Sequence, residues 1–245
     1  MTAIHRILLP LAATLVIIGV WWLAVVVTGA TIFPSPADVV RGLAELVERR
    51  ILGAYIADSL FRVAAGYLAA VIIGIPLGMA LGWFPTLGRA VNPLIQMLRP
   101  ISPLAWMPLA VIWFGVSNLA PIFLIFLAAV FPIVVASMNA VHNIPEMYLR
   151  AGRNFGLSTP QLMAKVIVPA ALPPIGVALR IAFGVAWLVL VAAEMIAVDS
   201  GLGYLIIDAR NAGKRYDLVV GGMLLIGFVG LAIDALFRYA LATQR

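Results

Sequence analysis

The chain has 245 residues, 64% hydrophobic and 11% charged, with a mean hydropathy of +1.12; soluble domains carry roughly 25% charged residues, so the solvent for most of this chain is lipid. The net charge of +6 comes with no stretch in which basic residues interleave with aromatics, which excludes a nucleic-acid surface. The absence of Cys excludes disulfides, thiolate metal sites and Cys nucleophiles.

The first apolar run, Ile7 to Val27, exceeds the roughly 7–15 residues of a signal-peptide core and reads as a retained helix. Apolar runs recur at about 7–28, 62–84, 91–114, 119–141, 173–197 and 217–241. Each approaches the ~20 residues needed to cross a bilayer, and the alternating ~10-residue segments of a β-barrel are absent. The expectation is an all-α membrane protein with six transmembrane helices in a single domain over residues 1–245.

Between the first two spans lies PSPADVVRGLAELVERR. Ser35 suits a helix cap, Pro36 the first position, and Asp38 the capping-box acid. Val39, Val40, Leu43, Leu46 and Val47 form an apolar stripe, and Arg41, Glu45 and Arg49 are spaced as i,i+4 pairs. A surface helix over about 36–50 is expected.

The third span, NPLIQMLRPISPLAWMPLAVIWFG, holds Pro93, Pro100, Pro103 and Pro108, with Arg99 inside. Proline removes a helical hydrogen bond, and in lipid the freed backbone groups need protein or a water-filled cavity over them. This span is expected to kink and face the protein interior.

After the fourth span the chain turns basic and amphipathic: RAGRNFGLSTPQLMAKVIVPAALP. A short helix over 146–155 should stop at Gly156 in the left-handed region. Ser158 should cap a second piece, with Gln161 as its reciprocal partner, and Pro169 should bend the chain into the fifth span. Tyr148, Ala151, Gly152 and Phe155 fall on one helical face as a shallow socket flanked by Arg150 and Arg153. Residues 199–217 read as a loop with a short helix, in which Arg210, Lys214 and Arg215 either meet an acidic partner or are simply solvated. His5 and His142 read as isolated loop residues. Basic residues divide evenly between the two sides, Arg6 and Arg245 among them, so charge alone does not orient the chain.

The spacing E-A-A, three residues, G, nine residues, I, one residue, L-P marks permease subunits of ABC-type importers. It is matched in register by Ala151 and Gly152, Gly156, Val166 and Val168-Pro169, with Arg150 where the usual Glu stands. FPSPADV, RPISPLAWMPLAVIWFG, AWLVLVAAEM and GLGYLIIDAR resemble the nitrate, sulfonate and taurine branch. The resemblance implies the type I ABC importer permease (MetI-like) fold and a non-catalytic role. No GxxxxGK[ST] phosphate cradle is present, so ATP and Mg would sit on a partner ATPase and no cofactor on this chain. The implied partners are cytoplasmic ATPases gripping about 146–163, a second permease subunit (a copy or a relative), and a periplasmic or lipid-anchored binding protein. Implied too is a multi-pass place in the bacterial inner membrane with both termini cytoplasmic. The coupling residues would be Tyr148, Arg150, Ala151, Gly152, Arg153, Phe155, Gly156, Ser158 and Gln161.

Charges within spans usually face an interior. Asp234 and Arg238 are spaced as a local i,i+4 pair, and Arg180 suits snorkelling or bracing the coupling loop. For Glu194 two accounts stand: a partner for a backbone donor or for Arg99, or a gate group. Neutral donors and helix N-termini suit an anion. Ser102 could supply one, with Trp106 as a wall and Arg99 adding positive potential; equally, Ser102 could bond a freed carbonyl. A self-sufficient secondary transporter or channel is the alternative class, and thiamine-precursor pyrimidines are an alternative cargo.

Overall fold

The computed structural model describes residues 3–29 and 33–242; Arg245 and the side chain of Arg6 lie outside the described part. Helix α1 (Ala3–Thr28) is followed by α2 (Pro36–Glu48), α3 (Ile51–Trp83), α4 (Pro85–Leu98), a 3-10 turn (Pro103–Trp106), α5 (Met107–Phe114) and α6 (Leu119–His142). Then come α7 (Glu146–Asn154), α8 (Thr159–Leu162), a π turn (Met163–Ile167), α9 (Val168–Ala197), α10 (Leu202–Gly213) and α11 (Tyr216–Ala242). Five of these helical runs are long and apolar enough to cross a bilayer, and α4 with the 103–114 helix makes a sixth, broken span bent by 81°.

The core is α3, α6 and α9, with α11 and α10 against α9. One feature of composition decides how α3 meets α6. Gly66, Ala70, Gly74, Gly78 and Gly82 recur every fourth residue, a ridge without side chains. A Cβ at Gly66 would lie 2.6 Å from the Ile122 carbonyl oxygen, one at Gly82 2.6 Å from that of Met138, and one at Gly78 2.6 Å from Ser137 Cβ. In lipid no hydrophobic force draws helices together, so close backbone approach and dispersion do. The ridge makes that approach available over four turns.

Helix α2 has the expected start. Ser35 N–H donates to Asp38 Oδ2 at 3.0 Å and Asp38 N–H to Ser35 Oγ at 3.2 Å. Its stripe is narrower than expected: Val39, Gly42 and Leu46 are buried, while Val40 and Val47 are exposed. Arg41 pairs with Asp38 at 2.7 Å rather than with Glu45, which bonds Arg49 at 2.6 Å and Arg215 at 2.9 Å. The helix ends at Glu48, and Arg50 turns the corner with φ 58°.

Helix α3 begins at Ile51, eleven residues before the expected 62. Its 33 residues measure about 50 Å, against a hydrocarbon core of about 30 Å, so its first turns stand beyond the lipid. Asp58 and Arg62 hid them from a hydropathy reading. The short helix expected within 199–217 is present at 202–213, with Leu202, Leu205, Ile206 and Ala209 buried, so it packs against the bundle. His5 lies within α1, and His142 ends α6.

Candidate coupling loop and broken-span cavity

At the end of α6 the chain folds into the two-piece element. Helix α7 carries Glu146 in its first turn and Arg153 in its last, each complementing the helix dipole. Gly156 has φ +77°. Its N–H donates to Arg153 O at 2.9 Å, and Leu157 N–H to Gly152 O at 3.1 Å, the paired bonds of a Schellman stop. Ser158 N–H then donates to the Gln161 side chain at 3.0 Å, as the capping spacing requires.

The socket expected around Gly152 is differently built. Gly152 is buried, and a Cβ there would lie 2.5 Å from Leu162 Cδ1. Its smallness therefore seats α8 on α7 rather than receiving an outside backbone. What remains outward on this face is Tyr148, 52% exposed, and Phe155, 86% exposed, with Ala151 between them. Arg150 Nη2 donates to Glu146 Oε2 at 2.9 Å, so the surface keeps an acid one turn before the position where a Glu was expected. Leu162 and Ile167 anchor the element among Val141, Ile144, Ala171 and Ile175.

Pro169, expected to bend the chain into the fifth span, lies inside a continuous helical run. Val168 N–H donates to Met163 O across five residues, and the widened turn comes just before the proline that lacks an N–H. Residues Thr159–Ala197 consequently form one helical run of 39 residues.

The broken span is displaced from its neighbours at the prolines. Pro103 opens the 3-10 turn and Pro108 falls in the first turn of α5, both positions where a missing N–H leaves no helical bond unmade. The break is level with the middle of α6: a cavity of about 260 Å³ there is lined by Arg99, Pro103 and Trp106, by Leu127, Phe131 and Pro132 of α6, and by Val185 of α9. Arg99 and Ser102 are exposed and Trp106 is half-buried. Among the described residues Arg99 meets no carboxylate, and the Ser102 hydroxyl caps nothing. The structure thus places Arg99 and Trp106 on this cavity, leaves Ser102 outside its lining between Ile101 and Pro103, and puts Glu194 elsewhere.

Glu194 lies at the opposite end of the bundle from α7 and bonds neither Arg99 nor the break. It accepts from Arg62 Nη1 at 2.8 Å, from Ser59 Oγ at 2.8 Å and from the Gly203 N–H at 2.9 Å. Arg62 also donates to Ser200 O and Oγ at 2.7 Å and to Asn118 Oδ1 at 2.8 Å. Arg62 is 1% and Glu194 0% exposed. Gly201, at φ +109°, passes so close that a Cβ would lie 2.5 Å from Glu194 Cδ and 2.7 Å from Arg62 Nη1. The expected span began at Arg62 and left Ser59 outside it; the i,i+3 pair Ser59 and Arg62 on a longer α3 was the available signal.

The remaining in-span charges are also tied. Arg180 reaches across to Asp234 of α11 with two bonds, at 2.5 and 2.8 Å, instead of bracing the coupling loop, and Arg238 joins Asp234 at 3.3 Å. Arg215 bonds Asp217 and Glu45, fixing the start of α11 to α2, and so is not a free contact for an outside protein. That bond from Arg215 holds the Glu45 carboxyl below the usual carboxylate range.

The family described as "Binding-protein-dependent transport system inner membrane component" matches residues 70–242. The chain is 36% identical over 236 residues to the nitrate import permease protein NrtB of Synechococcus elongatus, covering 91% of this chain and 85% of that one. To the taurine transport system permease protein TauC of Escherichia coli it is 34% identical over 239 residues, covering 94% and 86%. The inward-facing MetNI methionine ABC transporter matches in fold with a TM-score of 0.69 at 19% identity, over 81% of this chain and 98% of that one. With the broken span, the two-piece loop and these likenesses in place, the chain belongs to the binding-protein-dependent transport family of inner-membrane components, as a non-catalytic permease subunit of an ABC importer.

Proposed function

We propose that this permease passes a small oxyanion or organosulfonate, of the nitrate or taurine kind, across the bacterial inner membrane, driven by a separate ATPase. The observation that carries the choice of an anion is Arg99. It stands at a mid-membrane cavity with no carboxylate partner among the described residues, while Glu194 and Asp234, the carboxylates of α9 and of the later part of α11, are paired. The relatives named for nitrate and taurine, both anion-bearing solutes, support the same reading.

In this reading α7 and α8 face the cytoplasm, as do both termini, and two permease subunits pair around the broken spans. The ATPase grips Tyr148, Arg150, Ala151, Arg153 and Phe155 on the loop, whose shape Gly152, Gly156, Ser158 and Gln161 maintain. ATP and Mg stay on that ATPase. The end carrying α2 and α10 receives the binding protein. Ser102 supplies a neutral donor to the passing anion, Trp106 walls the cavity, and Arg99 supplies the potential.

The test is ATP-dependent uptake of labelled nitrate and taurine into proteoliposomes holding the permease, its ATPase and its binding protein. One of the two should accumulate, and Ser102→Leu should block uptake while the complex still assembles. Uptake by the permease alone, without motor subunits, would overturn the reading, as would uptake confined to uncharged solutes or normal uptake by Ser102→Leu.

A further inference from the structure

We propose that one face of α4 forms a second anion station, with Arg89 as its cation, on the path from the break toward the coupling-loop end. The inference rests on the reading of the cargo as an anion. Arg89, Asn92, Gln96 and Arg99 fall within about 80° of the α4 surface at 100° per residue. Gln96 Nε2 donates to Asn92 Oδ1 at 3.4 Å, so the stripe is continuous between the two guanidinium groups. The other face of α4 carries exposed Leu87, Leu94 and Met97. Lipid suits that face, whereas charged side chains within a span turn to a protein interior or to water.

Two cavities flank this stripe, each of about 260 Å³. The first is the one at the break, with Arg99. The second lies between Arg89 and Asn92 of α4 and Asn139 and His142 of α6. Residue 89 sits against 139–142 and residue 99 against 127–132, so α4 runs back along the coupling-loop half of α6. The two cations are ten residues apart in the chain, about 15 Å along the axis. Each cavity is far larger than the ~10–15 Å³ that one water requires, which leaves room for a small partly hydrated anion. Among the described residues no Asp or Glu lines either cavity, and the hydrogen bond Arg89 makes is to the Pro85 carbonyl oxygen of its own helix, at 3.4 Å.

A lining of guanidinium and amide groups without carboxylates selects anions, and conduction needs sites weak and numerous enough for the cargo to leave. Arg99 alone would hold an anion at mid-membrane. Arg89 gives it a next position closer to the exit.

The experiment is steady-state uptake by the complete reconstituted complex, wild type against Arg89→Gln, Arg89→Lys and Asn92→Asp. Loss of one nearby charge should lower kcat for the anion about tenfold, with KM little changed because the binding protein sets delivery. Arg89→Lys should keep most of the rate. Asn92→Asp, which preserves side-chain size and adds a carboxylate to the same cavity, should fall as far as Arg89→Gln. Equal losses in Arg89→Lys and Arg89→Gln, or unchanged kcat in Asn92→Asp, would overturn the second station. Wild-type complex that carries no anion at all defeats the anion reading itself, a distinct outcome. Should Arg89→Gln fail to assemble, Asn92→Asp decides.

Discussion

Arg62 Nη1 donates to Glu194 Oε1 at 2.8 Å across 132 residues of sequence, with both side chains closed off from solvent. Four elements meet at this pair, because Ser59 comes from α3 with Arg62, Asn118 precedes α6, and Ser200 to Gly203 lead into α10. Removing one partner from a buried pair strands the other charge, which costs about 3–5 kcal/mol. Arg62→Met should therefore destabilise the solubilised protein by that amount. Adding Glu194→Gln, which still accepts from Ser59 and Gly203, should recover part of the loss. Thermal unfolding followed by tryptophan fluorescence checks this, and a double variant less stable than Arg62→Met is the contrary result.

The small-residue ridge makes a position-specific prediction. Gly78→Ala puts a methyl within 2.6 Å of Ser137 Cβ, while a Cβ at Gly227 meets nothing within 4 Å. Overpacking of this kind costs about 1–3 kcal/mol, so Gly78→Ala should lower the melting temperature. Gly227→Ala should hold or raise it, since alanine is the better helix former by about 1 kcal/mol.

At the coupling loop, Gly156→Pro cannot adopt φ +77° because the ring fixes φ near −65°. Gly152→Trp drives a large ring into Leu162. Both should abolish uptake with membrane insertion intact, since the damage lies outside the spans. The check is co-purification of the ATPase, and recovery at wild-type level would count against the loop as its seat.

Acid should loosen α2 from α11. Arg215 holds the folded Glu45 carboxyl below its usual value, so that contribution is complete above the ordinary carboxylate range and disappears as pH falls through the depressed folded value. Hydrogen exchange over residues 36–48 should quicken on that descent in the wild type. In Glu45→Gln it should be faster already at neutral pH, with a smaller acid step.

What the sequence discloses is local. The caps at Ser35 and Ser158, the stop at Gly156 and the proline-broken span follow from chemistry within a few residues of each position, and the structure has each in place. The apolar runs mark the spans because lipid imposes a length. Partners of charges within the helical bundle are another matter. Nothing near Glu194 names Arg62, nothing near Arg180 names Asp234, and pairing across 54 or 132 residues is fixed only when helices pack. Gly152 was visible as small, but whether its space served an outside protein or Leu162 depended on how α8 folds back. Pro169 was misleading for a related reason: the π turn ahead of it absorbs the missing N–H, and hydropathy carries no trace of that.

The helical run from Thr159 to Ala197 is about 58 Å long at helical rise, and Glu194 bolts its far tip to α3 and α10 and, through Arg62, to Asn118 ahead of α6. Its weak joints all lie near the loop: the five-residue wide turn and Pro169, Pro173 and Pro174, each of which lacks the N–H of a helical bond. The helix thus has a pliable root and a bolted tip, and loosening the tip with Glu194→Ala should free the far end of the run, which faster hydrogen exchange over residues 190–205 would register.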